Sequence, residues 1–60
     1  MAKRILLVDD EPLIIKGLKY TLEQEGYETL AAYDGEEALE VFFANTVDLV
    51  LLDSRMRWHT

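Results

Sequence analysis

The sequence predicts an α/β fold with a parallel sheet, because short apolar runs alternate with helix-like segments along most of its 60 residues. Two short apolar runs, Lys3–Val8 and Val47–Leu52, each end at an aspartate, and a more polar strand-like run, Tyr27–Ala32, lies between them. Between them, two segments carry apolar residues three and four positions apart, which is the spacing of one helix face. Two consecutive strand–helix–strand units of this length are parallel crossovers. We therefore expect a βαβαβ arrangement with three parallel strands.

The first unit has the clearest signals. Lys3–Val8 is apolar without alternation, which predicts a strand covered on both faces. A helix is predicted over Pro12–Glu25, since proline suits the first helical turn and Gly26 is a good stop. Its apolar face consists of Ile14, Ile15, Leu18 and Leu22.

The second unit follows directly. Tyr27–Ala32 predicts a second, more polar strand, and Tyr33–Gly35 has the composition of a turn. Glu36–Asn45 predicts the second helix, and Val47–Leu52 predicts the third strand, which ends at an aspartate. The apolar side of the second helix consists of Ala38, Leu39, Phe42 and Phe43.

Two strand orders are compatible with this pattern, 1-2-3 and 2-1-3. The first and third strands are the most apolar, and the second is the most polar. Polar strands prefer the edge of a sheet, so the order 2-1-3 is favoured. Because both crossovers are expected to be right-handed, the two helices then cover opposite faces, one helix on each face.

Acidic residues follow two strands that this order makes neighbours. Asp9 and Asp10 follow the first strand, and Asp53 follows the third. Ligands bind at such a point, where the winding of a parallel sheet reverses. Three close carboxylates need a shared proton or a cation, and Mg²⁺ suits oxygen ligands of this kind. A carboxylate there can also attack phosphorus. The alternative is that Asp10 and Glu11 only cap the following helix.

Three segments of the sequence resemble the receiver domain of bacterial response regulators. They are Ile5–Pro12, Tyr33–Leu39 and Asp48–Asp53, and the resemblance covers about residues 3–54. It implies a flavodoxin-like fold, of which this chain holds the amino-terminal half. It also implies a signalling module that accepts a phosphoryl group from a sensor histidine kinase.

The resemblance also implies roles for individual residues. Asp53 matches the phospho-acceptor, and Asp9 and Asp10 match the acidic pair that holds Mg²⁺. Asp53 and the backbone carbonyl of Arg55 match the remaining protein ligands of that ion. A module of this family is not an enzyme in its own right; at most it catalyses its own phosphorylation.

The chain departs from the family pattern after the third strand. We expect residues 1–54 to form a truncated receiver domain and residues 55–60 to form an atypical tail, in which Arg57 stands where the family usually has proline. The family's phosphate-binding lysine and its Ser/Thr switch residue have no match here. Phosphotransfer is therefore predicted to be weak or absent.

Two other functions remain open. A truncated or engineered half-domain has an unprotected apolar third strand, and self-assembly through that strand, as a homodimer or a larger assembly, is then its main property. A haloacid-dehalogenase-type phosphohydrolase also uses an aspartate after a strand. That family has its second acid two residues after the nucleophile. Here the two aspartates, Asp9 and Asp10, are adjacent and Glu11 takes the second position, so this function is disfavoured.

Composition excludes several further classes. The chain has a net charge of −6, no cysteine and no apolar run long enough to span a bilayer. Disulfides and thiolate metal sites are excluded, and the negative charge argues against binding nucleic acid. We expect a cytoplasmic protein that contacts no membrane.

Overall fold

The computed structural model describes residues 2–52 and contains the predicted elements in the predicted order. The observed bounds differ from the predicted ones by at most two residues. Asp53, Arg55 and the predicted tail over 55–60 lie outside the described residues. The elements are β1 Arg4–Val8, α1 Pro12–Gln24, β2 Glu28–Ala32, α2 Gly35–Ala44 and β3 Leu49–Leu52.

The three strands form one parallel sheet in the order β2-β1-β3, which confirms the predicted topology. The central strand β1 pairs along its whole length with β2, and from Ile5 onward with β3. At its carboxyl end Val8 lies opposite Ala32 on one side and Leu52 on the other. The polar strand β2 is at an edge, where the exposed Glu28 side chain remains in solvent.

Burial of β1 on both faces explains why its sequence does not alternate. On the α1 face, Ile5 and Leu7 pack with Ile15 of the helix. On the α2 face, Leu6 and Val8 pack with other buried residues. The two helices thus lie on opposite faces of the sheet, as predicted. The buried residues of the second cluster are Leu6, Val8, Ala32 and Ala38.

The strand β3 receives little cover from either helix. The backbones of α1 and α2 approach β1 and β2, and neither approaches β3. Leu49 and Leu52 are 51% and 50% exposed, while Val50 is half-buried against the α2-side cluster. This strand is therefore an apolar edge within the described residues.

The apolar sides of the helices are only partly used. In α2, Ala38 is buried and Val41 is half-buried against the sheet, but Phe43 is 80% exposed. Phe43 was expected on the apolar side of α2, but this exposure excludes it from the packed face; its ring stands edge-to-face with the Phe42 ring, with 5.5 Å between the centroids. Of the four apolar residues predicted for the face of α1, Ile15 is buried and Leu22 is half-buried against the sheet.

The helix ends follow local side-chain and backbone chemistry. The Asp34 side chain accepts a hydrogen bond from the Glu37 backbone N–H at 2.7 Å, so α2 begins one residue earlier than predicted. At the end of α1, Gly26 has φ +92°, and its N–H donates to the Glu23 carbonyl at 3.0 Å. The next N–H, from Tyr27, donates to the Leu22 carbonyl at 3.1 Å, which completes a Schellman motif.

Two glycine substitutions are predicted to change stability in opposite directions. A Cβ at Gly17 meets nothing within 4 Å, so Gly17→Ala should raise the free energy of unfolding by about 0.5–1 kcal/mol. Gly26→Ala should lower it by about 1 kcal/mol, because its positive φ strains any residue with a Cβ. Urea denaturation of both variants tests this, and equal signs would contradict it.

A small polar network ties α1 to β2. The Thr29 hydroxyl donates to the Glu23 carboxylate at 2.7 Å, and Lys19 donates to both side chains. These bonds favour the ionised carboxylate, so the pKa of Glu23 lies below its ordinary value, chiefly because of the Thr29 hydroxyl and secondly because of Lys19. The resulting stabilisation is present above the ordinary pKa of the unfolded chain. It is lost as the pH falls through the lowered pKa of the folded chain.

Thr29→Val should raise the pKa of Glu23 towards its ordinary value, because the largest of its stabilising hydrogen bonds is removed. Lys19→Met should also raise this pKa, because it removes both a hydrogen bond and the attraction of a positive charge. The carboxyl carbon resonance of Glu23, followed by NMR as a function of pH, measures both. An unchanged pKa of Glu23 in either variant would contradict the assignment of causes.

Candidate functional site

The candidate site lies at the carboxyl edge of the sheet, between β1 and β3. Val8 and Leu52 are paired in the parallel ladder, and they are the last residues of their strands. In the sequence, Asp9 directly follows Val8, and Asp53 directly follows Leu52. The chain passes from β1 to β2 on one side and then to β3 on the other side of β1, so the winding of the sheet reverses. The carboxyl ends of β1 and β3 therefore form a topological switch point.

Asp9 is held rigidly at this edge. Its backbone N–H donates to the Ala32 carbonyl at 3.1 Å, which extends the β1–β2 ladder by one residue. Its side chain accepts a hydrogen bond from the Glu11 backbone N–H at 2.9 Å. Asp9 is only 5% exposed, whereas Asp10 is exposed.

The capping interpretation of the acidic residues is not supported. Glu11 is the N-cap residue of α1, and its side chain makes no capping hydrogen bond. Helix α1 instead begins with proline and has no acidic residue in its first turn. Asp9 holds the Glu11 N–H from outside the helix, so its carboxylate organises the loop between β1 and α1.

The chemistry of this edge fits a divalent cation. Neither of the two ion pairs within residues 2–52 includes Asp9, although a buried carboxylate is costly without a compensating charge. Carboxylates and a backbone carbonyl are the ligand types that Mg²⁺ takes, together with water. No three metal-ligating side chains cluster within the described part of the chain, which supplies only Asp9 and Asp10. The predicted ligands Asp53 and Arg55 lie outside it.

A separate groove lies on the α1 face beside β3. It has a volume of about 390 Å³, and Lys3 and Asp48 provide its polar rim. It lies mainly towards the amino end of the strands, away from the acidic edge. Its walls are therefore not part of the candidate metal site. The apolar lining residues are Ile5, Leu22, Tyr27, Leu49 and Leu51.

The sequence analysis missed a polar cluster at the amino edge of the sheet. The sequence places Arg4 and Asp48 in or beside strands but does not pair them. In the structure the Arg4 backbone N–H donates to the Asp48 carboxylate, and the Asp48 backbone N–H donates to the Arg4 carbonyl. The available signal was an acidic residue directly before an apolar strand. Arg4 can be identified as the partner of this acidic residue only after the pairing of β1 with β3 is known.

The comparisons with known proteins decide the family. A family model of the response regulator receiver domain matches residues 5–58. The chain belongs to this family. Response regulator GtcR of Aneurinibacillus migulanus is 48% identical over 56 residues. The alkaline phosphatase synthesis transcriptional regulatory protein PhoP of Bacillus subtilis is 49% identical over 53 residues.

A solved structure shows the same fold. The crystal structure of a response regulator receiver domain protein from Clostridium thermocellum superposes with a TM-score of 0.84 at 38% identity. It covers 90% of this chain, and this chain spans 44% of it. The predicted family and the flavodoxin-like receiver fold, with strand order 2-1-3, are confirmed.

The chain spans less than a quarter of its curated relatives. The matches cover 93% and 88% of this chain, but 23% of GtcR and 22% of PhoP. Receiver domains are phospho-acceptors that generally bind Mg²⁺ and are generally not enzymes, and their family implies interaction with sensor kinases.

Among residues 2–52, neither helix has the length and apolar character needed to cross a membrane.

Proposed function

We propose that this chain is a phospho-accepting receiver module in which Asp53 is the acceptor. The observation that carries the proposal is the pairing of Val8 with Leu52, since it makes Asp9 and Asp53 the next residues of neighbouring strands. Burial and fixation of Asp9 give the site one preorganised carboxylate. The family membership supports the same role.

In the proposed reaction, which would take place in the cytoplasm, a carboxylate oxygen of Asp53 attacks the phosphorus of a phosphohistidine on a sensor histidine kinase. An oxygen–phosphorus bond forms, the phosphorus–nitrogen bond breaks, and its electron pair returns to the imidazole. Asp9, Asp10, Asp53 and the backbone carbonyl of Arg55 would hold Mg²⁺. The bound ion supplies positive charge that offsets the carboxylates and the phosphoryl oxygens.

The rate of this reaction in the 60-residue chain should be low. No residue of the sequence matches the family's phosphate-binding lysine or its Ser/Thr switch, so fewer groups contact the phosphoryl oxygens. We propose no contact with nucleic acid by these residues, because a net charge of −6 repels phosphates.

The test is phosphorylation by a small-molecule phosphodonor such as acetyl phosphate in the presence of Mg²⁺. Intact mass spectrometry should show slow addition of a single phosphoryl group, which hydroxylamine removes because it is an acyl phosphate. Asp53→Asn should abolish the addition. Asp34→Asn, a change at a carboxylate that caps α2 at the same edge, should leave it in place.

The dependence on the metal gives a second readout of the same experiment. Asp9→Asn should reduce both the Mg²⁺ affinity and the phosphorylation rate, since it removes the buried ligand. Phosphorylation that persists in the Asp53 variant at the wild-type rate would contradict the assignment of the acceptor.

A second candidate function is self-assembly through β3, and the exposure of this strand favours it. Leu49 and Leu52 are about half exposed, and β3 pairs with β1 alone among the described strands. An apolar edge with unpaired backbone groups is a template for another strand. Two copies related by a two-fold axis could pair their β3 strands in antiparallel fashion to form one continuous sheet.

Leu51→Lys should weaken this association, because a charge on the edge strand opposes pairing. Phe43→Lys is the matched control: it changes a side chain that is 80% exposed on α2, away from β3. Light scattering at micromolar concentration should give a dimer for the wild type and the control, and a monomer for the Leu51 variant. A monomeric wild type would contradict the proposal.

A further inference from the structure

The alignment of β3 on β1 decides which residues meet at the candidate site. The ladder pairs Ile5 with Leu49 and Val8 with Leu52, so every paired residue of β3 lies 44 positions after its partner in β1. Asp9 and Asp53 have this same separation. The proposed metal site, which joins these two residues, therefore depends on the register of one four-residue strand.

The apolar pattern of β3 specifies this register poorly. Its sequence, Leu-Val-Leu-Leu, presents large aliphatic side chains to both faces, so a slip by one residue exchanges similar groups. Leu49, Leu51 and Leu52 are 51%, 37% and 50% exposed, and neither helix backbone approaches the strand. A slip therefore changes little buried apolar surface, and another contact must fix the alignment.

Polar contacts at the amino edge supply that specificity. The Arg4 backbone N–H donates to Asp48 Oδ2 at 2.7 Å, and the Asp48 backbone N–H donates to the Arg4 carbonyl at 2.8 Å. The Arg4 guanidinium also donates to the Thr46 carbonyl at 3.5 Å. The carboxylate can accept from the Arg4 N–H in this way only when Asp48 stands beside Arg4.

We propose that Asp48 is a positioning residue that sets the register of β3 on β1, the register on which the proposed metal site of Asp9 and Asp53 depends. This inference rests on the proposed function of Asp53. A slip by one residue displaces the end of β3 by about 3.3 Å and turns its side chains to the opposite face. Mg²⁺ accepts ligands only at about 2.0–2.1 Å in near-octahedral geometry, so a slipped strand cannot complete the site.

The direct test is the β1–β3 register in solution, measured by cross-strand nuclear Overhauser effects. Asp48→Ala removes the carboxylate and should give a second set of amide signals for Leu49–Leu52, with contacts shifted by one residue. Asp48→Asn keeps an oxygen acceptor for the Arg4 N–H and should preserve the single native register.

Glu28→Ala is the matched control on the other side of the same arginine. Glu28 of β2 accepts a bond from the Arg4 guanidinium at 3.1 Å, so its removal also deletes one acidic side chain at the amino edge. It leaves the bonds between Arg4 and Asp48 intact. This variant should retain one register, which separates the effect on β3 from a general loss of charge or stability.

Mg²⁺ affinity is the functional readout, although Asp48 lies at the opposite edge from the metal ligands. Asp48→Ala should weaken Mg²⁺ binding in proportion to the fraction of molecules that leave the native register, about twofold when half of them are slipped. Asp48→Asn and Glu28→Ala should stay close to the wild type. Calorimetric titration of the four proteins gives this comparison.

The outcomes separate the two proposals. A single native register and unchanged Mg²⁺ affinity in Asp48→Ala would overturn the positioning role. If Asp48→Ala shifts the register while no protein in the series binds Mg²⁺, Asp48 sets the register but the proposed metal site fails, and with it the link to Asp53. If Asp48→Ala unfolds β3, native contacts in Asp48→Asn support the role, and their loss there overturns it.

Discussion

The burial of β1 is the constraint on which the rest of the structure depends. Leu6, Leu7 and Val8 are at most 1% exposed, and each such side chain contributes about 1.5–3 kcal/mol relative to an exposed position. A strand buried on both faces and both edges requires a neighbour on each side and a helix above and below. The order β2-β1-β3 and the placement of α1 and α2 on opposite faces satisfy that requirement with two crossovers.

The burial of β1 also bears on where the acidic residues of the candidate site lie, which is at the carboxyl ends of the strands. Asp9 directly follows the buried run and is itself nearly inaccessible, so the loop into α1 is organised by its carboxylate rather than by the helix cap. The amino edge serves a complementary purpose, because Arg4 bonds there to both neighbouring strands through Glu28 and Asp48. The positioning role proposed for Asp48 connects these contacts to the carboxyl edge through the register of β3 on β1.

Much of the fold was predictable because local signals agree with the tertiary structure. The unbroken apolar run of β1 predicted a central strand, and the polar character of β2 predicted an edge. The exposure of Phe43 follows from helix geometry, since a residue five positions after the buried Ala38 lies about 140° away from it around the helix, off the packed face. The bond between Asp48 and Arg4 joins residues 44 positions apart, so it could be recognised only once the strand pairing was known. For the site, the structure places Asp9 and Asp10 at the predicted edge, and the shared role of Asp53 stays a prediction.

The proposed function requires that Asp9 and Asp53 bind one divalent cation at the carboxyl ends of β1 and β3. A double-mutant cycle with Asp9→Asn, Asp53→Asn and the double variant, read as the free energy of Mg²⁺ binding, tests it most directly. If the two carboxylates share the ion, each single change removes most of the affinity, and the second change adds little to the first. Strictly additive losses, or a full wild-type affinity in either single variant, would contradict a shared site.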